Sequence, residues 1–153
     1  MKETEAILRR LESQLEGLDL VLGGAPAIDR RPASGGWSAG ENLAHVARHH
    51  EVMLERLRHI RDEQAPSLPA YRAENDPEWP LWAGRPIEEI RERLQALRAE
   101  LLAVVRRLDP AGWRRTGVHS RLGSLSVAEW LEFFLDHEAH HLYVAMKRAR
   151  GVD

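Results

Sequence analysis

Apolar residues recur at helical spacing in four stretches of this 153-residue chain. Ile7, Leu8, Leu11, Leu15, Leu18 and Leu22 predict a first helix from Thr4 to Leu22, stopped by Gly23-Gly24. A Pro/Gly-rich connection runs from Ala25 to Trp37. Ser38-Ala39-Gly40-Glu41 then has the form of a capping box, in which Ser caps a backbone N–H and Glu reaches back. It opens a second helix, Ser38 to about Glu63, with Leu43, Val46, Ala47, His50, Leu54 and Leu57 on its apolar stripe. Pro86 suits the first turn of a third helix, carried by Ile87, Ile90, Leu94, Leu97, Leu101, Val104, Val105 and Leu108. Ser126-Val127-Ala128-Glu129 is a second capping box and begins a fourth helix that Gly151 ends near Arg150. No strand pattern, internal repeat or low-complexity tract stands out. The prediction is one all-α domain, 1–153: an up-down four-helix bundle with long structured loops.

The connection at 64–85 holds Trp79, Trp82 and four prolines, and its length suggests that it covers something. A second connection, Asp109 to Leu125, holds Trp113 and His119. The tryptophans either wall a pocket or cap the bundle ends. Trp37 is expected to pack as a staple before the second helix. Arg72, Arg85, Arg114, Arg115 and Arg121, in or beside these loops, are candidates for binding carboxylates, against an ordinary solubilising role.

Composition narrows the function. Twenty-two basic and 24 acidic residues give a formal net charge of −2, without the basic excess of a nucleic-acid binder. The charged start, Met1-Lys2-Glu3-Thr4-Glu5, lacks the apolar core of a signal peptide, and no apolar run reaches the ~20 residues of a membrane span. A soluble, cytoplasmic protein is expected. There is no cysteine, so no disulfide, thiolate ligand or cysteine nucleophile.

The chemistry concentrates in Asp136-His137-Glu138-Ala139-His140-His141. His137 and His141 stand one turn apart on one face of the fourth helix, on a flank of the stripe Val127, Leu131, Phe134, Leu142 and Ala145. Two imidazoles so placed can share a divalent metal ion, although most such pairs are surface or hydrogen-bonded histidines. His140 projects towards solvent. A third ligand must come from the second helix, where His45, His49 and His50 fall within two turns. Periodicity alone favours His50 or His49. Glu138 points towards the middle of the apolar stripe and would orient a ligand, act as a general base, or pair with an Arg of another helix. Glu138 and His50 are the candidate catalytic residues, and His119 is a possible proton shuttle.

Taken in order, Trp37-Ser38, His45 and His50, the Trp-containing connection, Gly123-Ser124-Leu125-Ser126 and His137-Glu138-Ala139-His140-His141-Leu142 resemble the DinB/YfiT-like superfamily over nearly the whole chain. The resemblance is nearest its YfiT branch. It implies a four-helix bundle with one metal ligand from the second helix and two from the fourth: His45, His137 and His141. It also implies a homodimer and chemistry of the hydrolase or thiol S-transferase kind, with a small-molecule substrate and a low-molecular-weight thiol. Three histidines suit Zn²⁺ or Ni²⁺, with Fe²⁺, Co²⁺ or Mn²⁺ as alternatives. Any thiol must diffuse in, since the chain has none. The competing readings are a non-catalytic metal-binding stress-response bundle and a helical dimerisation module without metal.

Overall fold

Both capping boxes form. The Ser38 hydroxyl accepts from the Glu41 backbone N–H while the Glu41 carboxylate accepts from the Ser38 N–H, and Ser126 and Glu129 repeat the exchange. The computed structural model describes residues 2–24 and 27–153. Met1, and the Ala25-Pro26 start of the first connection, lie outside the described residues.

The helices are α1 (Lys2–Ser13), α2 (Leu18–Leu22), α3 (Ala39–Asp62), α4 (Trp79–Ala83), α5 (Ile87–Arg106), α6 (Pro110–Arg114) and α7 (Val127–Ala149). Three short strands interrupt the helical pattern: β1 (Ser67–Leu68), β2 (Thr116–His119) and β3 (Gly123–Ser126). β1 pairs parallel to β2, and β2 pairs antiparallel to β3. The expectation of no strand is therefore corrected. Segments of two to four residues carry no readable alternation, and pairing with one another is what makes them strands. Gly117 is placed where a Cβ would come within 2.7 Å of Leu68 Cδ1 and 3.0 Å of Ile60 Cγ1, so glycine lets β2 press against the end of α3.

The core divides into two apolar clusters. One joins Ile7 and Leu11 of α1, Met53 and Leu57 of α3, Leu101 and Val105 of α5, and Leu131 and Phe134 of α7. The other joins Leu18 and Leu22 of α2, Leu43 and Ala47 of α3, Ile90 and Leu94 of α5, and Leu142 and Ala145 of α7. The chain passes from the first cluster to the second along α1–α2 and along α7, and in the opposite sense along α3 and α5. The all-α bundle expected from the periodicity forms, but its helices do not strictly alternate: α3 and α5 run the same way. The long connection between them must therefore travel back along the bundle, which is why it is long.

A buried polar layer separates the clusters. Arg98 of α5 forms an ion pair with Glu138 of α7, donates through Nε to His50 Nε2 (3.1 Å) and through Nη1 to the Leu11 carbonyl (2.7 Å). Gln14 Nε2 donates to Glu138 Oε1 (2.8 Å) and to the Leu135 carbonyl (3.1 Å). These contacts explain a second difference from expectation. The first helix is not continuous to Leu22: a 3₁₀ turn, Gln14–Gly17, splits α1 from α2 at this layer. The Leu11 carbonyl is taken by Arg98, and Gln14 reaches across to α7.

Glu138→Ala leaves the Arg98 guanidinium buried without its carboxylate and is expected to lower stability by about 3–5 kcal/mol. Replacing both, with Arg98→Met added, should recover much of that loss. Urea denaturation of the single and double variants measures the coupling, and strictly additive losses would show that the pair is not the waist of the bundle.

Candidate metal centre

The first half of α3 supplies His45, and the middle of α7 and the turn after it supply His137 and His141. Because these helices are antiparallel, the three rings meet at one level. One ligand nitrogen from each lies within 4.8 Å of the other two. His45 Nε2 and His137 Nε2 face each other at 3.1 Å, and the ring centroids are 4.4 to 4.9 Å apart. Two nitrogens about 2.0–2.1 Å from a shared tetrahedral ion would stand about 3.3 Å apart, so the spacing suits a cation. Asn42, three residues before His45, fixes the third ring: its Oδ1 accepts from His141 Nδ1 (2.8 Å), which leaves His141 Nε2 as the free lone pair. Asn42 is itself held through Nδ2 on the Ser38 carbonyl (2.8 Å), so the capping turn of α3 positions the His141 ring. The Nδ1 atoms of His45 and His137 are buried without a hydrogen-bond partner.

Electrostatics favours neutral rings. His45, His137 and His141 are each pushed down from 6.5 to about 3, chiefly by burial and further by neighbouring imidazole charge. A neutral imidazole is the form that binds metal. The donor set, its spacing and its protonation all fit a divalent ion.

Aromatic side chains wall the centre. Trp37 packs on His45 (4.8 Å between ring centroids), His141 (6.0 Å) and Trp79 (4.9 Å), so it lines the site and is not a staple. Tyr71 lies 5.6 Å from His45. Burial chiefly raises the Tyr71 pKa, helped by its hydroxyl donating to Asp76 Oδ2 (2.7 Å), and Arg48 clamps the same carboxylate with Nε at 2.6 Å and Nη2 at 3.1 Å. The returning connection is thereby tied to α3 directly above the centre. Trp82 packs instead into the second apolar cluster and donates to Glu51, and Trp113 packs into the first cluster.

The other predicted residues separate clearly. His49 packs on His137 at 4.2 Å between centroids, fully buried, with Nδ1 unpartnered and its pKa held well below 6.5 mainly by burial. His50 lies in the polar layer, donating from Nδ1 to the Val46 carbonyl (2.8 Å) and accepting from Arg98. Glu138 is 1% exposed and paired with Arg98, and His50 is 0% exposed, so neither opens onto the three-histidine group. His140 is exposed. Among the loop arginines, Arg115 caps α3 on the Ile60 and Glu63 carbonyls (2.6 and 2.8 Å), and Arg85 stacks on Trp82 (4.4 Å). Arg72 lines a neighbouring cavity, while Arg121 lines one shared with His137. Arg56 shares that second cavity and was not anticipated. It lies eleven residues, three full turns, after His45, so a search for charged residues on the His45 face would have found it.

The family model of the DinB superfamily matches residues 4–145. The chain belongs to the DinB superfamily. A protein of Oceanobacillus iheyensis named "Putative metal-dependent hydrolase OB0782" is 29% identical over 117 residues, covering 75% of this chain and 66% of that protein. The chain thus spans just under two thirds of that relative's length. YfiT from Bacillus subtilis, described as "a probable metal-dependent hydrolase with an unusual four-helix bundle topology", superimposes with a TM-score of 0.80 at 18% identity, over 98% of this chain and 89% of YfiT. That likeness is one of fold.

The buried histidines set a pH dependence. In the unfolded chain they take up protons near 6.5, whereas in the fold His50 does so near 4 and the three clustered histidines near 3. The unfolded state therefore binds more protons as pH falls below about 6.5, and stability falls with it. The thermal midpoint of EDTA-treated protein should drop steadily between about pH 6.5 and 4. A flat midpoint across that window would contradict neutral, buried rings.

Proposed function

We propose that this chain is a metal-dependent enzyme of the hydrolase type, acting on a small molecule, with His45, His137 and His141 as the ligands of one divalent ion. The observation that carries this reading is the convergence of three neutral imidazoles from two antiparallel helices beside a cavity that His137 helps to line. When bound, Zn²⁺, Ni²⁺ or a similar ion supplies Lewis-acid chemistry. No carboxylate belongs to the ligand group, so the ion would keep its full charge.

The chain's own residues do the rest. Asn42 holds the Nδ1 proton of His141, orienting that ring. Trp37, Tyr71 and Trp79 exclude water from the His45 side. His49, in contact with His137, presents an unpartnered Nδ1 at which a proton can be held. Glu138 and His50 act in this reading from behind the centre, locking α7 against α3 and α5 so that His137 and His141 face His45. The same parts would serve a diffusible thiol as nucleophile, and the absence of cysteine from the chain makes an external thiol the source.

Tag-free protein should take up one Zn²⁺ or Ni²⁺ per chain, measured by elemental analysis and calorimetry. His45→Ala and His137→Ala should abolish stoichiometric uptake, and Asn42→Ala should weaken it by about 10–100-fold. The exposed His140→Ala should leave uptake intact. Ester and amide hydrolysis, assayed against conjugation of an electrophile with several small thiols, assigns the reaction. Wild-type protein that takes up no ion would end the proposal.

A further inference from the structure

A cavity of about 380 Å³ adjoins the three-histidine group, lined among others by His49, Arg56, Tyr71, His119, Arg121 and His137. Among the described residues, no Asp or Glu lines it. Arg56 is 4% exposed, one of its amino groups donates to the Pro69 carbonyl (3.0 Å), and its other, Nη1, is buried with no hydrogen-bond partner. Its guanidinium lies over the Trp130 ring (4.9 Å), a contact that supplies no anion. A buried guanidinium with an unused donor and no counter-charge is costly, and such groups are ordinarily paired.

We propose that this cavity binds an anionic group of the small-molecule substrate, a carboxylate or a phosphoryl group, on the Arg56 guanidinium. The inference rests on the metal-centre reading only for where the rest of that molecule reacts.

Three further observations support it. Burial alone pushes the Arg56 pKa down, to about 10, with no carboxylate holding it up. Its positive charge is felt at His49, His119 and His137, whose pKa values it helps to lower, so the charge lies among the rings that line the cavity. His119 Nδ1 accepts two backbone N–H groups, from Arg121 and Leu122 (3.1 Å each), so in the neutral ring the proton sits on Nε2. Arg56, with its unused Nη1, and His119, with its neutral-ring proton on Nε2, thus both line the cavity, and the described residues around it include no anionic acceptor. The exposed Arg121 stands at its rim. Arg56 also lines a neighbouring cavity of about 420 Å³ that Glu55, Glu63 and Asp76 share; of these, Asp76 is already taken by Arg48 and Tyr71. A planar guanidinium in this setting is suited to two-point recognition of carboxylate or phosphoryl oxygens.

The test uses EDTA-treated full-length protein at constant ionic strength, so that the anion cannot bind through a metal ion. Methylphosphonate and propionate are titrated, with neutral propionamide as control, and the arginine Nε–Hε signals are followed by NMR. The expected result is saturable binding of at least one of the two anions, movement of the Arg56 signal and none with propionamide. Arg56→Gln should weaken binding about tenfold or more, Arg56→Lys should retain part of it, and Arg121→Gln should weaken it less. Binding unchanged in folded Arg56→Gln, or an Arg56 signal that neither anion moves, overturns the inference. If Arg56→Gln does not fold, the wild-type Arg56 signal decides alone. Zn²⁺ uptake is measured on the same samples. Uptake without anion binding defeats this inference and spares the metal centre, whereas anion binding without uptake does the reverse.

Discussion

A buried contact between Arg98 and Glu138 determines how the helices of this bundle sit. It lies at the one level where both apolar clusters stop, and it involves four segments at once: Glu138 on α7, Arg98 on α5, His50 on α3, and the Leu11–Gln14 break in the first helix. Apolar packing alone is tolerant of rotation and sliding, because one aliphatic contact exchanges for another at little cost. A buried charge pair with every neighbouring lone pair assigned is not, since any slip leaves a charge or donor unmatched. Glu138 directly follows His137 and precedes His141 by three residues. Fixing its side chain therefore fixes the rotation of α7, and with it the direction in which both imidazoles point.

The second constraint is topological. With α3 and α5 running the same way, the chain must return along the outside of the bundle between them. The return path begins at β1, which pairs with β2, passes Pro69 on Arg56, and reaches Tyr71 and Trp79 over His45 before Trp82 re-enters the core. A strictly alternating bundle would need only a short turn here and would leave His45 open to solvent. Much of the aromatic wall and of the low basicity of the clustered histidines thus comes from one cause: a crossover that covers α3 where the three histidines meet.

Much of this was legible beforehand. The 3.6-residue periodicity located all four long helices, and both capping boxes marked true starts, because these signals are local. The features that were missed are set by contacts distant in sequence. The 3₁₀ break at Gln14–Gly17 follows no glycine or proline within α1 and answers to Arg98, 84 residues on from Gln14. The strands are too short to alternate visibly. On α3, periodicity favoured His50 or His49 as the partner of His137 and His141, because a ligand was sought near the centre of the apolar face. That centre is where His50 sits, spent on Val46 and Arg98, whereas His45 lies at the edge of the buried arc and meets α7 beside the cavity. A residue that must stay available cannot be the one most completely enclosed, and the superfamily resemblance supplied what periodicity could not.

The charge pattern around the three histidines bears on what they can bind. The three rings and His49 are neutral at ordinary pH, and no carboxylate belongs to the group. Arg56 is, among the described residues, the buried positive charge of the adjoining cavity, and together with burial its field helps to keep His49, His119 and His137 unprotonated. A divalent ion on the histidines would add a second cation to a region that already holds one uncompensated. Water would screen the two poorly there, since Trp37, Tyr71, Trp79 and Phe133 occupy much of the perimeter. The arrangement is electrostatically incomplete on its own and becomes balanced when a molecule carrying negative charge lies between the two cations. A neutral analogue of the same shape would leave both unmatched, so discrimination by charge follows from the same burial that keeps the imidazoles free to act as ligands.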